Sequence, residues 1–431
     1  MGAGAAPPGA GAGRAAHMID EFDDALALAN DPRLAPPRPA PRAEADPAWE
    51  AARATAHRAV APLPPRRLPL DLALGHTLAA PLTALTDLPA FDTSAMDGWA
   101  VAGPGPWTLT CATGALAGAP AAGALTDGEA VPIATGARIP DGATAVLRAE
   151  HGSARAGRLT GATPQPGADV RARGQECRTG AELLPARTPL TPAALGLAAA
   201  AGYDQLAVRP RPRAEVLVLG DELLFRGLPH DGRIRDALGP MTGPWLTALG
   251  AQVLVTRRLG DDADALREAL ATSRADLIVT TGSTAKGPMD HLRGVLAALG
   301  AELLISGVAV RPGHPMLLAE LPGGVPLVGL PGNPLAAVSG LLTLAEPLLR
   351  ALADRPPVPE RAAALTGPVT GHPRDTRLVP VETPDPGGAR PLSYAGPAML
   401  RGIAAASALA VIPPGGAEAR QRVRLLDLPH P

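Results

Sequence analysis

From residue 213 onward, short apolar runs alternate with segments in which apolar residues recur every three or four positions. The runs at 215–219, 253–255, 277–280 and 326–328 have the length of strands and the apolar content of buried ones. Between them, Met241, Trp245, Leu246 and Leu249 share one helical face that ends at Gly250. Asp261 and Asp262 open a second helix through Leu266 and Leu270, and Leu292, Val295, Leu296 and Leu299 form a third that ends at Gly300. Pro334 opens a long fourth helix. Strands alternating with helices predict a parallel sheet covered on both faces, a three-layer α/β domain over residues 213–354.

The rest of the chain has other periods. Residues 1–46 are rich in Gly, Ala and Pro and are expected to be a disordered leader; Ile19, Phe22 and Leu26 keep a loosely helical spacing, and Met18 is an alternative start. An Ala-rich helical stretch begins at Trp49. Thr191 before Pro192 predicts the N-cap and first position of another helix. Residues 47–99 and 178–212 are therefore read together as an N-terminal linker and helical domain. Short β-like pieces between Gly/Pro turns predict a small β domain inserted at 100–177, and the tail at 355–431 reads as a C-terminal β domain. The fold class expected is α/β plus β, in several domains.

Composition narrows the function. The net charge of −2 gives no electrostatic basis for binding nucleic acid or an anionic membrane, and 2% aromatic residues leave little for base stacking. The apolar runs are interrupted short of the roughly 20 residues of a membrane span. Cys111 and Cys177 form no CxxC pair, which fits a reducing, cytoplasmic setting. Lys286 is the only lysine, and Asn30 and Asn333 are the only asparagines, in a chain drifted toward Ala, Arg, Gly and Pro. A lysine or asparagine kept in a glycine loop is more informative against that background.

Three polar loops follow three of the predicted strands, at 220–222, 281–290 and 330–334. In a parallel sheet all three project from the carboxyl edge, where open α/β sheets bind ligands. The middle loop, with Gly282, Ser283 and Lys286, has the parts for phosphate: glycines for close backbone approach, hydroxyl and amide donors, and a following helix start. It is not a GxxxxGK[ST] loop. Asp290 stands at that helix start, where it suits an N-cap. Paired with Glu222 at the same edge, it would also suit a divalent ion held by oxygen. Asn333 before Pro334 fits an N-cap with Pro at the first helical position.

Residues 88–101, reading LPAFDTSAMDGWAV, resemble the N-terminal signature of molybdopterin molybdotransferases, the family of bacterial MoeA and the C-terminal part of gephyrin. In order along the chain, Ala134-Thr135-Gly136-Ala137 is similar to that family's TGA loop. The turn from Arg171 to Glu176 resembles its arginine-rich turn, with Glu176 where Asp is usual. Gly220-Asp221-Glu222-Leu223, Ile234-Arg235-Asp236, Asp290, Arg311-Pro312-Gly313-His314-Pro315 and GLPGNP at 329–334 follow. The resemblance runs over nearly all of the chain from about residue 48.

It implies an elongated homodimer of four-domain subunits and Mg²⁺-dependent insertion of molybdate into adenylylated molybdopterin, with release of AMP. It implies that Asp97 and Thr135 of one subunit complete a site on the other. It implies that Glu222, Asp261 or Asp262, and Asp290 serve the metal and the nucleotide phosphates. Arg171, Glu176, Gly282, Ser283, Lys286, Arg311, His314, Asn333 and Arg377 are the expected cofactor-binding residues. The chain departs from the pattern mainly in the anion pocket: His314 replaces a lysine, Ala285 and Ala336 replace serines, and Pro288 replaces an aspartate. Gly396-Pro397-Ala398 lacks the usual serine, and Leu238 replaces an asparagine. Lys286 is expected either to restore charge to that pocket or to be an exposed loop lysine. A homologue that binds the pterin nucleotide as a scaffold or carrier, without efficient insertion, stays open as the alternative. An enzyme sharing only the α/β domain is disfavoured by the 88–101 stretch and the GLPGNP loop.

Overall fold

The computed structural model describes residues 46–110, 114–118, 123–284, 291–384 and 388–429. The leader, Lys286 and Asp290 therefore lie outside the described residues. In the inserted β region, strict alternation gives one six-stranded sheet two apolar faces. Its strand order is Ala145–Arg148, Gly98–Val101, Glu129–Ile133, Trp107–Leu109, Arg158–Gly161, Gly152–Arg155. Ala100, Val131 and Val146 pack in one core, and Val101, Ala130, Ala145 and Leu147 pack around Trp107 in the other.

The linker is a three-stranded antiparallel sheet with Gln205–Arg209 between Arg66–Pro69 and Thr77–Leu78. The helix Pro192–Ala200 starts as its residues dictate, with the Thr191 side chain accepting from the Ala194 N–H and Pro192 at the first position. Ala194 and Ala198 face Leu78, Leu190 and Leu206. The helix Trp49–Arg58, expected with this linker, belongs instead to the α/β core. Trp49, Ala52 and Ala56 lie on one face, and Trp49 Nε1 donates to Thr343 Oγ1 at 2.9 Å.

The α/β sheet has the order Gln252–Leu259, Arg213–Leu219, Leu277–Thr281, Val325–Leu330, Leu317–Leu321, Glu302–Ile305. The first four strands are parallel, as expected; Leu317–Leu321 runs antiparallel to both its neighbours, so it alone is reversed and Glu302–Ile305 again shares the direction of the first four. The four strands expected from the sequence are thus mutually parallel, and the reversal of the added strand Leu317–Leu321 has a geometric reason. Leu321 pairs with Val325 across a tight turn in which Gly323 and Gly324 have positive φ, and a parallel partner would need a crossover of a dozen or more residues. The stretch Pro334–Leu352 is apolar and long enough for a membrane span by composition, contrary to the sequence expectation, but its most apolar window is 94% buried in this fold. It is a core helix with a π-helical turn at Leu341–Ala345. In the C-terminal sheet, Thr376–Glu382, Ala408–Ile412, Arg422–Asp427 and Arg361–Ala364 are antiparallel neighbours. The short strand Val310–Arg311 extends that sheet's edge in parallel, with Arg311 opposite Arg377.

Candidate active site

Three loops meet at the carboxyl edge of the parallel strands. Gly220 N donates to Leu259 O, and Gly282 N donates to Leu330 O at 2.9 Å, which ties the second loop to the third. Gly282 has φ +86°, and a Cβ there would lie 2.9 Å from Leu219 O, so only glycine lets this loop sit so close to the first strand. Ser283 follows with φ +53°, an uncommon conformation for a residue with a side chain. Among the described residues a Cβ on Gly332 would meet nothing nearer than Gly282 Cα at 3.8 Å. Thr280 and Thr281, at the end of the middle strand, are buried with hydroxyls that have no hydrogen-bond partner among the described residues.

The acids at this edge have different uses. Glu222 is exposed, with its carboxylate folded against Gly220, where a Cβ would be 2.3 Å from Oε2. Asp221 likewise lies against Gly260. Asp262 is the N-cap of the helix Ala263–Thr272: its Oδ1 accepts from Asp264 N at 2.8 Å and Ala265 N at 3.1 Å. Half-buried Asp261 makes no such bond, which leaves it the better metal candidate of the two. Among the described residues no three His, Cys, Asp or Glu side chains form a metal cluster. Asp236 is buried, accepts from Gly239 N at 2.8 Å and faces Arg258 Nε at 3.4 Å, while Arg258 lies over the Phe225 ring. This contact fixes the excursion that follows Glu222.

The third loop runs into the C-terminal sheet. Asn333 occupies the N-cap position, but its side chain makes no capping hydrogen bond, so the structural role expected for it is corrected. The Leu335 N–H is taken by Pro397 O at 2.9 Å. Gly313 packs down on the same helix; a Cβ there would press on Met316, Ser339 and Ala336. Arg311 Nε donates to Asp375 Oδ2 at 2.9 Å, and Arg377 donates to Thr370 O at 2.7 Å. His372 Nδ1 accepts from Asp375 N at 2.9 Å. His314 lies half-buried in this turn, its carbonyl accepting from Val308 N.

A second group of candidates gathers on the inserted β region. Ser94 pairs with the 134–137 turn through Ser94 N to Ala137 O and Gly136 N to Ser94 O. That pairing brings Thr135 to Asp97: Thr135 N and Oγ1 both donate to Asp97 Oδ1, at 2.7 and 3.0 Å. These bonds hold the exposed Asp97 carboxyl below its ordinary pKa. Arg171 and Glu176 line a cleft of about 520 Å³ with Leu88, Pro89, Thr93 and the helix Pro192–Ala200.

The residue that organises this region is Asp87, which the sequence reading missed. It is buried, accepts from Thr179 N and Oγ1 at 2.8 and 2.9 Å and from Arg173 Nε at 2.6 Å, and these hold its pKa down at about 2. Asp92 takes the Arg173 N–H at 2.7 Å. The only hint in the sequence was an acid just ahead of the 88–101 stretch, with no local spacing to link it to an arginine-rich turn more than 80 residues later. Among the described residues no hydrogen bond or ion pair joins this second group to the loops of the α/β sheet.

Comparison with known proteins fits both groups. Residues 48–202 match the model of the MoeA N-terminal region (domain I and II), and residues 215–351 match that of a probable molybdopterin binding domain. A molybdopterin molybdenumtransferase of Nostoc sp. is 33% identical over 294 residues, 64% of this chain and 67% of its own length. Molybdopterin molybdenumtransferase 2 of Mycobacterium tuberculosis is 34% identical over 375 residues, 81% of this chain and 91% of its own. Two crystal structures of the molybdopterin biosynthesis MoeA protein of Pyrococcus horikoshii share the fold, with TM-scores of 0.70 and 0.69 at 24% and 20% identity. They cover 88% of this chain and 98% and 99% of their own.

Proposed function

The chain belongs to the molybdopterin molybdenumtransferase family, transferases of molybdenum cofactor biosynthesis, and from that premise we propose that it inserts molybdate into adenylylated molybdopterin in a Mg²⁺-dependent reaction that releases AMP. The observation that carries this reading is the convergence of the loops at Gly220, Gly282 and Gly332 on one sheet edge. The Gly220 and Gly282 N–H groups are used within the edge itself, and the Ser283 turn and the open face of Gly332 suit the close approach of phosphate oxygens. Glu222 is an exposed carboxylate at that edge and Asp261 a half-buried one, oxygen donors of the kind a hard cation takes. Asp290 is assigned beside them on the resemblance alone. Bound there, Mg²⁺ would offset the charge of the phosphoanhydride. Arg311 and Arg377, side by side across two strands, orient the anionic end of the substrate, with Asp375 fixing the Arg311 fork.

Asp97 and Thr135 are assigned to the site of a second copy, which makes the working form a homodimer. The separation of the two residue groups within one chain supports that assignment. The cysteine usage supports a cytoplasmic setting. One observation favours the scaffold or carrier reading: the Leu335 N–H at the start of the core helix is already taken by Pro397 O. Incubation of the purified protein with adenylylated molybdopterin, Mg²⁺ and molybdate decides between them. The transferase releases AMP in step with molybdenum incorporation; a carrier retains the nucleotide and releases none.

A further inference from the structure

Two segments cross between the linker and the α/β sheet. Residues 59–65 lead from the helix Trp49–Arg58 to the strand Arg66–Pro69, and residues 210–212 lead from Gln205–Arg209 to Arg213–Leu219. Together they enclose a cavity of about 380 Å³ whose lining includes Leu63, Pro65, Arg66, Arg211, Arg213 and Asp276. Arg213 begins one parallel strand and Asp276 precedes the next. The cavity therefore sits at the amino edge of the sheet, opposite the candidate active site.

Its charge is one-sided. Asp276 is committed to Arg213: Oδ2 accepts from the Arg213 N and Nε at 2.8 and 3.1 Å, and Oδ1 from Nη2 at 2.9 Å. Arg66 is exposed and makes no side-chain hydrogen bond or ion pair among the described residues. Among the described residues Arg211 is held only by backbone carbonyls, Ala251 O at 2.6 Å and Gly250 O at 3.4 Å. Behind it Arg355 donates to Gly75 O at 2.7 Å, and its Nε is buried without a partner. Burial and then the neighbouring charges of Arg350 and Arg211 lower the Arg355 pKa. His76, half-buried in the same turn, has its pKa lowered by burial first, with Arg66 and Arg211 adding to it. Solvated arginines on a convex face would need no explanation. Guanidiniums packed around a concavity whose one carboxylate is already used are mutually repulsive until an anion joins them.

We propose that this cavity binds a multiply charged oxyanion of the phosphate class, held by the Arg66 fork and by the remaining Nη1 of Arg211 and bridging the two connecting segments. Bound there, the anion ties the linker to the α/β sheet at its hinge, away from the transferase site. The test uses inorganic phosphate, titrated into the full chain at constant ionic strength against chloride. The readout is the imidazole NMR signal of His76, assigned by its loss in His76→Gln. Phosphate is expected to shift this signal saturably and to raise the His76 pKa. In Arg66→Gln the phosphate affinity read at His76 falls about tenfold, as for loss of one charge-assisted contact, while Arg66→Lys keeps part of it. A His76 signal that phosphate does not move, or an Arg66→Gln variant that titrates like wild type with an unchanged melting curve, overturns the proposal. Neither readout depends on AMP release, so failure here is distinct from failure of the transferase reading.

Discussion

A single methyl group separates the backbone's structural role at the sheet edge from its proposed role against ligand. Gly332 is exposed, has no positive φ, and a Cβ built on it meets only Gly282 Cα at 3.8 Å, an ordinary contact. Gly332→Ala is therefore expected to be neutral or to stabilise by about 0.4–1 kcal/mol, through lost freedom in the unfolded chain. Gly282→Ala is the contrast: at φ +86°, with a carbonyl 2.9 Å from the new carbon, it costs at least about 1–2 kcal/mol. For a domain of this size that lowers the melting temperature by about 2–8 °C. If phosphates approach the third loop as proposed, the alanine methyl at 332 occupies their space. AMP release, measured as kcat/KM for adenylylated molybdopterin, then falls by about tenfold or more, a loss of at least about 1.4 kcal/mol in transition-state binding. Gly282→Ala should lose both stability and activity. A Gly332→Ala variant with wild-type kcat/KM would refute the reasoning, because among the described residues nothing but Gly282 Cα comes within 4 Å of the new carbon.

Asp97→Ala and Glu222→Ala should each be inactive as pure proteins, yet a refolded mixture should regain AMP release, because one mixed dimer holds one intact site. No recovery, or a monomeric mass by light scattering, removes the shared-site assignment. Asp87, with its pKa held at about 2 against an ordinary 3.8, contributes stability that is present above about pH 4 and is lost as the pH falls toward 2. Thermal melts of Asp87→Asn should lie below wild type at neutral pH and converge with it in acid; a gap independent of pH contradicts the ionic role. Lys286→Ala should need more molybdate for half-maximal turnover than wild type or Lys286→Arg. Equal molybdate dependence in all three would show that the lone lysine does not serve the anion.

The sequence determined the four parallel strands of the sheet, helix starts such as those at Thr191 and Asp262, and the loops that could carry chemistry. Each of these rests on local signals: an apolar run, a Thr-Pro or Asp-Asp helix start, a glycine where φ is positive. It also carried the ordered motifs by which the family is recognised. What it could not determine depended on partners distant along the chain. Asp262 and Asp261 are neighbours with the same side chain, and only the folded helix start shows which one spends an oxygen on capping. Asn333 sits in an N-cap sequence, yet the cap bond is absent, and the first-turn donor at Leu335 is met by a carbonyl from Pro397, more than 60 residues on. The helix at Trp49 has the same pattern whether it packs on the linker or on the α/β core; its indole bond to Thr343, 294 residues away, decided the matter. The arginines at 66 and 211 lie far apart along the chain, and only the two chain crossings bring them around one cavity. Local propensity sets which element forms, whereas the charge and hydrogen-bond state of a side chain depends on what the finished fold brings next to it.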